Sequence, residues 1–371
     1  MVSLITGGAG FIGSHLAEAL VARGEQVIIL DDLSTGSVEN ISHFRTNPSL
    51  HCFFESVRDR LLLAELVDES DVVFHLAAAV GVRRIIESPV RTIETNVRGT
   101  DMVLEAAAKK RKLVFIASTS EVYGKNGKAA FREDDDTVSG PTTKSRWSYA
   151  ASKALDEFLA LAYWKERRLP VVIGRLFNTV GPRQTGRYGM VLPTFVSQAL
   201  DGIPLTVYGS GKQSRCFGYV RDAVEAILRL VGADGAVGEV VNIGNDAETT
   251  IEDLALLVKQ RTQSASPVHF IPYDEAYEPG FEDMARRVPS LEKLVRLTGF
   301  RPTTPLPVII DKVVAHFASR TRPVPAWGSR EVSSLVIAKD RENAGKLQNR
   351  NPEKGPSMTQ IGQITATEER S

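Results

Sequence analysis

Apolar residues in the first half of the chain fall into short unbroken runs. Val2-Ser3-Leu4-Ile5-Thr6, Gln26 to Leu30, Asp71-Val72-Val73-Phe74-His75-Leu76, Lys112 to Ala117 and Val171 to Leu176 are such runs. Runs of this length predict strands buried on both faces, and His51 to Glu55 fits a further strand. Between them the spacing turns helical. Phe11, Ile12, Leu16, Ala19 and Leu20 recur on one side of a helix over Phe11 to Arg23, with Gly24 where a C′ glycine belongs. Leu61 to Val67, Asn96 to Lys109 and Ser148 to Trp164 predict three more helices. Strands alternating with helices predict an α/β fold, a Rossmann-type doubly wound parallel sheet.

Beyond Asn178 the texture changes. Helical stretches at Val191 to Leu200, Arg221 to Leu230 and Ile251 to Arg261 mix with short strands at Leu205 to Tyr208 and Glu239 to Ile243. The expected organisation is a first domain over residues 1–178 and a smaller mixed α/β substrate lobe over 179–319, partly woven into the first. From about Arg320 to Ser371 Pro, Ser, Asn, Lys and Glu dominate without periodicity, which predicts a disordered tail.

Charge and composition narrow the function. The 45 basic residues balance the 45 acidic ones, so the basic excess of an electrostatic nucleic-acid binder is missing. No apolar run approaches the roughly 18 residues of a membrane span, and no signal-peptide pattern opens the chain, so a cytoplasmic protein is expected. Cys52 and Cys216 stand in unrelated contexts, with neither a disulfide framework nor a zinc spacing, and no metal site is expected.

The candidate chemistry begins at the first turn. Glycines at 7, 10 and 13 between a strand and a helix allow a tight turn, close approach of a pyrophosphate and helix–strand packing. The helix N-terminus then offers amides and a positive dipole end to phosphate. Asp31 or Asp32, ending the second strand, can accept from a ribose 2′-hydroxyl and repels a 2′-phosphate, which favours NAD over NADP. The small residues Ala77 and Ala78 let a nucleotide lie across the end of their strand. Ser118-Thr119-Ser120-Glu121 follows another strand, where open parallel sheets bind ligands. Tyr149 and Lys153 lie one helical turn apart. An ammonium there is expected to draw the phenol down from about 10 and make it a base for a sugar hydroxyl held by Thr119 or Ser118.

These stretches together resemble the extended short-chain dehydrogenase/reductase family of nucleotide-sugar enzymes. The resemblance is carried by Thr6-Gly7-Gly8-Ala9-Gly10-Phe11-Ile12-Gly13, Asp31-Asp32-Leu33-Ser34-Thr35-Gly36, His75-Leu76-Ala77-Ala78, Asn96-Val97-Arg98-Gly99-Thr100, Ser118 to Gly124, Tyr149-Ala150-Ala151-Ser152-Lys153 and Arg175-Leu176-Phe177-Asn178. It implies a bound NAD contacted by Gly7, Gly10, Phe11, Ile12, Gly13, Asp31, Asp32, Leu76, Ala77, Ala78, Asn96, Tyr149 and Lys153. Within the family the chain looks most like the decarboxylases of UDP-glucuronate. Glu121, the stretch Leu205 to Arg215, and Arg286-Arg287-Val288-Pro289-Ser290 carry that likeness. It implies catalytic roles for Thr119, Glu121, Tyr149, Lys153 and Arg287, a UDP-sugar contacted by Ser118, Ser120, Asn178, Arg215 and Arg287, passage through a 4-keto sugar, and a homodimer. Two departures stand against this pattern. Glu55-Ser56-Val57 occupies the place of an adenine-binding aspartate, and the loop Gly140 to Ser148 fits a 4-epimerase as well. A UDP-sugar 4-epimerase therefore stays open, with a 4,6-dehydratase ranked behind it. A non-catalytic NAD-binding regulator is the reading from another class, opposed by the joint presence of Thr119, Tyr149 and Lys153.

Overall fold

The computed structural model describes residues 1–79, 88–186, 190–276, 284 and 286–319. The tail predicted from Arg320 onward lies outside the described residues. Six strands build the first half: β1 (Val2–Thr6), β2 (Gln26–Leu30), β3 (Leu50–Phe53), β4 (Val72–His75), β5 (Leu113–Thr119) and β6 (Val171–Leu176). The connecting helices are α1 (Phe11–Ala22), α2 (Arg60–Glu69), α3 (Pro89–Ala108) and α4 (Trp147–Arg167). All the strands pair in parallel, and β11 (Val240–Ile243) joins beside β6 to give the order β11-β6-β5-β4-β1-β2-β3. This is the expected doubly wound sheet, with its order reversing between β1 and β4.

The unbroken apolar runs are strands because both sheet faces are covered. One face buries Ile5, Val27, Ile29, Phe74, Phe115 and Val172 against α1 and α6 (Val220–Val231). The other buries Leu4, Ile28, Val73, Val114 and Ile173 against α2, α3 and α4. Helix α3 begins seven residues before the predicted Asn96, at Pro89, whose fixed φ and missing N–H suit a first helical position. The polar residues of its first turns hide the apolar spacing there.

After Asn178 come β7 (Thr179–Val180), α5 (Val191–Asp201), β8 (Leu205–Tyr208), β9 (Ser214–Cys216) and β10 (Gly218–Tyr219). Beyond β11 lie β12 (Glu248–Thr250), α7 (Ile251–Thr262), β13 (Val268–Ile271), α8 (Tyr273–Ala276), β14 (Arg286–Arg287), α9 (Glu292–Thr298) and α10 (Leu306–Ser319). Helices α5, α7 and α10 share a core with β8 and β10 through Phe195, Val207, Tyr219, Leu254 and Ile310. The sequence pattern misses β9, β12 and β14, which form one small sheet in the order β12-β9-β14. Strands of two or three residues are too short to show alternation. Register pairs Arg287 with Arg215 across β14 and β9, bringing together two residues far apart in the chain.

The glycine turn after β1 is as tight as the motif requires. Gly7 has φ +76°, and a Cβ on it would lie 2.7 Å from the Ala77 nitrogen. A Cβ on Gly13 would lie 2.2 Å from the Gly7 carbonyl oxygen. Gly13→Ala must therefore push α1 off the turn. It is expected to lower unfolding stability by about 1–3 kcal/mol in denaturant titrations and to abolish retention of a dinucleotide.

Candidate active site

The parallel strands end at one edge, and the side chains singled out by motif gather there. At β1 the turn is held by Asp31, whose carboxylate accepts from the backbone amides of Ala9 at 2.9 Å and Leu33 at 2.8 Å. Burial pushes the Asp31 carboxyl up, while those amides work against it. Asp32 remains exposed and accepts from the Ser34 amide at 2.9 Å. Gly10 caps α1 without a side-chain bond, and the first turn carries no acid. The first amides of α1 thus face the turn with no anionic side chain beside them. Glycines with no room for a Cβ, a helix N-terminus and a carboxylate at the end of β2 fit a dinucleotide.

Next to the turn is a buried polar layer. His75 hydrogen-bonds the Thr6 hydroxyl at 2.8 Å and the Thr100 hydroxyl at 3.2 Å. Burial, and then the Lys153 charge, hold His75 down at about 3, so it is neutral near pH 7. Asn96 was expected to touch a cofactor. Instead its Oδ1 accepts from the Ala79 amide at 2.8 Å and its Nδ2 donates to Ser152 at 3.0 Å. It fastens the end of β4 to α4.

Strand β5 ends in Thr119 and passes into a short 3-10 turn over Ser120–Tyr123. The Thr119 hydroxyl accepts from the Glu121 amide at 3.2 Å and also hydrogen-bonds Tyr149. Tyr149 and Thr119 therefore meet as predicted. Ser120 is buried beside them. Ser118 was expected to hold substrate, but its hydroxyl donates to Glu157, which takes the Arg175 guanidinium in a fork at 2.8 and 3.0 Å. Ser118 belongs to this clasp between β5, α4 and β6.

The expected pairing of Tyr149 with Lys153 needs correction. The Lys153 ammonium donates to Asp156 Oδ2 at 2.7 Å. The Tyr149 phenol is pushed above its ordinary range, not below it. Burial is the largest cause, then the Glu121 charge; the Thr119 hydrogen bond works against them, Asp156 adds to the rise, and Arg287 opposes it.

Glu121 is the electrostatic centre. Arg146 Nη1 donates to its Oε2 at 2.8 Å, and Arg287 Nη2 contacts its Oε1 at 2.7 Å. Burial pushes the Glu121 carboxyl up, but Arg287, Arg146 and Arg215 outweigh burial and hold it down at about 2. Arg287 is placed by β14, and its neighbour Arg286 forks onto Glu248 of β12 with both bonds at 2.6 Å. Arg215 is buried in β9, with Nη1 donating to the Ser214 carbonyl at 2.7 Å. Arg287 Nε and Asn178 Oδ1 are buried polar atoms that no protein group claims. Both suit contact with a polar ligand. The sequence reading missed Arg146, which stands just before α4 in a polar loop. Its one local signal is the neighbouring Trp147, over whose ring the guanidinium lies at 5.0 Å. It also missed Asp156, hidden among the charges of α4.

A family model described as GDP-mannose 4,6 dehydratase matches residues 4–313. The chain belongs to this family. It is 46% identical over 300 residues to UDP-N-acetyl-alpha-D-glucosaminuronate decarboxylase of Bacillus cytotoxicus, covering 81% of this chain and 92% of that one. It is 34% identical over 315 residues to UDP-glucuronic acid decarboxylase 1 of Danio rerio, covering 85% of this chain and 72% of that one. Among solved structures it is similar to UDP-glucuronic acid 4-epimerase of Bacillus cereus in complex with UDP-glucuronic acid and NAD. The TM-score is 0.78 at 28% identity, covering 86% of this chain and 99% of that one. The described residues hold no helix long and apolar enough to cross a membrane and no acid, His or Cys cluster fit for a metal.

The depressed Glu121 carboxyl sets an acid limit on stability. Its folded value lies below the ordinary 4.5, so the stabilisation is complete above about pH 4.5 and is lost as pH falls through about 2. Glu121→Gln leaves Arg146 and Arg287 without this counter-charge and is expected to cost about 3 kcal/mol near pH 7. Denaturant titrations from pH 7 down to pH 2 should show the gap between wild type and variant closing across that acid window.

Proposed function

We propose that this chain is an NAD-dependent decarboxylase of a UDP-hexuronate, acting through a 4-keto sugar. The observation that carries this reading is Glu121, held ionised between Arg146 and Arg287 beside Tyr149. UDP-glucuronate is the substrate read from the sequence. The higher identity to the Bacillus cytotoxicus relative than to the Danio rerio one favours the 2-acetamido form of that sugar. Gly7, Gly10 and Gly13 admit the cofactor pyrophosphate, and Asp31 and Asp32 stand at its ribose. The chemistry NAD supplies when bound is reversible hydride exchange at the sugar C4.

The chain's own residues do the rest. Tyr149, bonded to Thr119, is the group placed to take the 4-hydroxyl proton. Oxidation at C4 makes the sugar a β-keto acid. Its C5–C6 bond then breaks, carbon dioxide leaves, and the electron pair passes to the C4 oxygen, beside Tyr149. Glu121 and Arg287 orient the ring at C5, where a proton replaces the carboxylate. Arg215 and Asn178 stand at the nucleotide diphosphate, where charge-assisted bonds are roughly twice as strong as neutral ones.

The pair of helices α3 and α4 presents Val90, Ile93, Leu155 and Phe158, exposed at 70%, 43%, 49% and 70%. A homodimer through this apolar face accounts for side chains that water would otherwise meet. Phe158→Glu is expected to convert dimer to monomer in light scattering.

Purified protein incubated with UDP-glucuronate, its 2-acetamido analogue and UDP-glucose tests the reaction. Carbon dioxide and a UDP-pentose from a hexuronate are expected. A UDP-galacturonate or UDP-galactose product without carbon dioxide would assign a 4-epimerase instead. Tyr149→Phe is expected to lower kcat by at least about 100-fold with bound cofactor retained.

A further inference from the structure

Lys153 is not an isolated charge. Its side chain is 2% exposed, that of Asp156 is 0% exposed, and their ion pair closes at 2.7 Å. Both lie on α4 three residues apart, so the helix itself makes the pair. Asp156 Oδ1, equally buried, has no hydrogen-bond partner. A half-satisfied buried carboxylate is a costly structural choice. Its charge is therefore the property to explain.

A lone ammonium acts on a nearby phenol as a point charge. An ammonium locked to a carboxylate acts as a dipole of zero net charge, and its field fades much faster with distance. We propose that the working unit is Tyr149, Lys153 and Asp156 together, with Asp156 a positioning residue. It fixes the Lys153 ammonium beneath the site and cancels that charge as seen from Tyr149, so the resting protein keeps the tyrosine protonated. This rests on the reading of Tyr149 as the base.

The surroundings agree. Tyr149 faces Glu121 from the turn after β5, Arg287 from β14, the Thr119 hydroxyl and, on its own helix, Asp156, whose charge itself pushes the phenol up. Asp156 meets Lys153 and Glu157 on α4 and the Thr100 hydroxyl from α3. His75, the titratable group that faces Lys153 from β4, is neutral near pH 7 and leaves the balance of the pair unchanged.

The test reads residue 149 directly. Ultraviolet phenolate absorbance of the cofactor-loaded protein is titrated with pH, and the same titration of its Tyr149→Phe counterpart is subtracted. Asp156→Asn is expected to lower the titration by about one pH unit or more and to carry the acid limb of kcat/KM with it. An unchanged titration overturns the proposal, since a purely structural Asp156 would not move it. Neutralising one member of a buried pair can also unfold a protein. The double variant Lys153→Met, Asp156→Asn removes both charges and is expected to titrate within about half a unit of wild type. A rise of about one unit or more would show Lys153 acting as an uncompensated charge and would overturn the proposal. Full turnover in Tyr149→Phe would overturn the underlying role of Tyr149, and is seen independently of the titration.

Discussion

Three distant stretches of chain meet at the Glu121 carboxylate. The turn after β5 supplies the carboxylate, the loop before α4 supplies Arg146, and β14 supplies Arg287. Burial alone would neutralise the acid; the guanidinium groups keep it charged. In return the acid makes it tolerable to bury two arginines whose side chains are 7% and 10% exposed. The floor of the site is thus set by one mutual constraint. Remove any partner and an uncompensated charge is left in a poorly solvated place.

The glycine turn imposes a different kind of constraint, one of space. Gly7 touches the backbone at Ala77, and Gly13 lies over the Gly7 carbonyl. The end of β4 and the start of α1 can approach each other only because those positions lack Cβ atoms. Asp31 then pins the turn to the end of β2 through the amides of Ala9 and Leu33. The same closeness that leaves room for a phosphate makes the turn rigid, so binding requires little reordering.

Between these two regions lies the layer of Thr6, His75, Thr100, Lys153 and Asp156. Its residues come from β1, β4, α3 and α4, and they bond mainly to one another. Charges that look on the page like free reagents are neutralised locally. Asn96 and Ser118, also read as ligand contacts, hold strand ends to helices through bonds that use their polar atoms.

By itself the sequence determined the sheet, the glycine turn and the meeting of Thr119 with Tyr149. Those features follow from local rules: continuous apolar runs, helical spacing, positions that only glycine can fill, and one helical turn between Tyr149 and Lys153. Tertiary structure alone decided that Arg215 and Arg287 are register partners, because two- and three-residue strands leave no periodic trace. It decided that Arg146 reaches Glu121 across 25 positions, and that Lys153 answers to Asp156 before Tyr149. Spacing along a helix says which side chains share a face. Which of several opposite charges on that face will pair depends on burial and on what the neighbouring elements bring, and these exist only once the chain is folded.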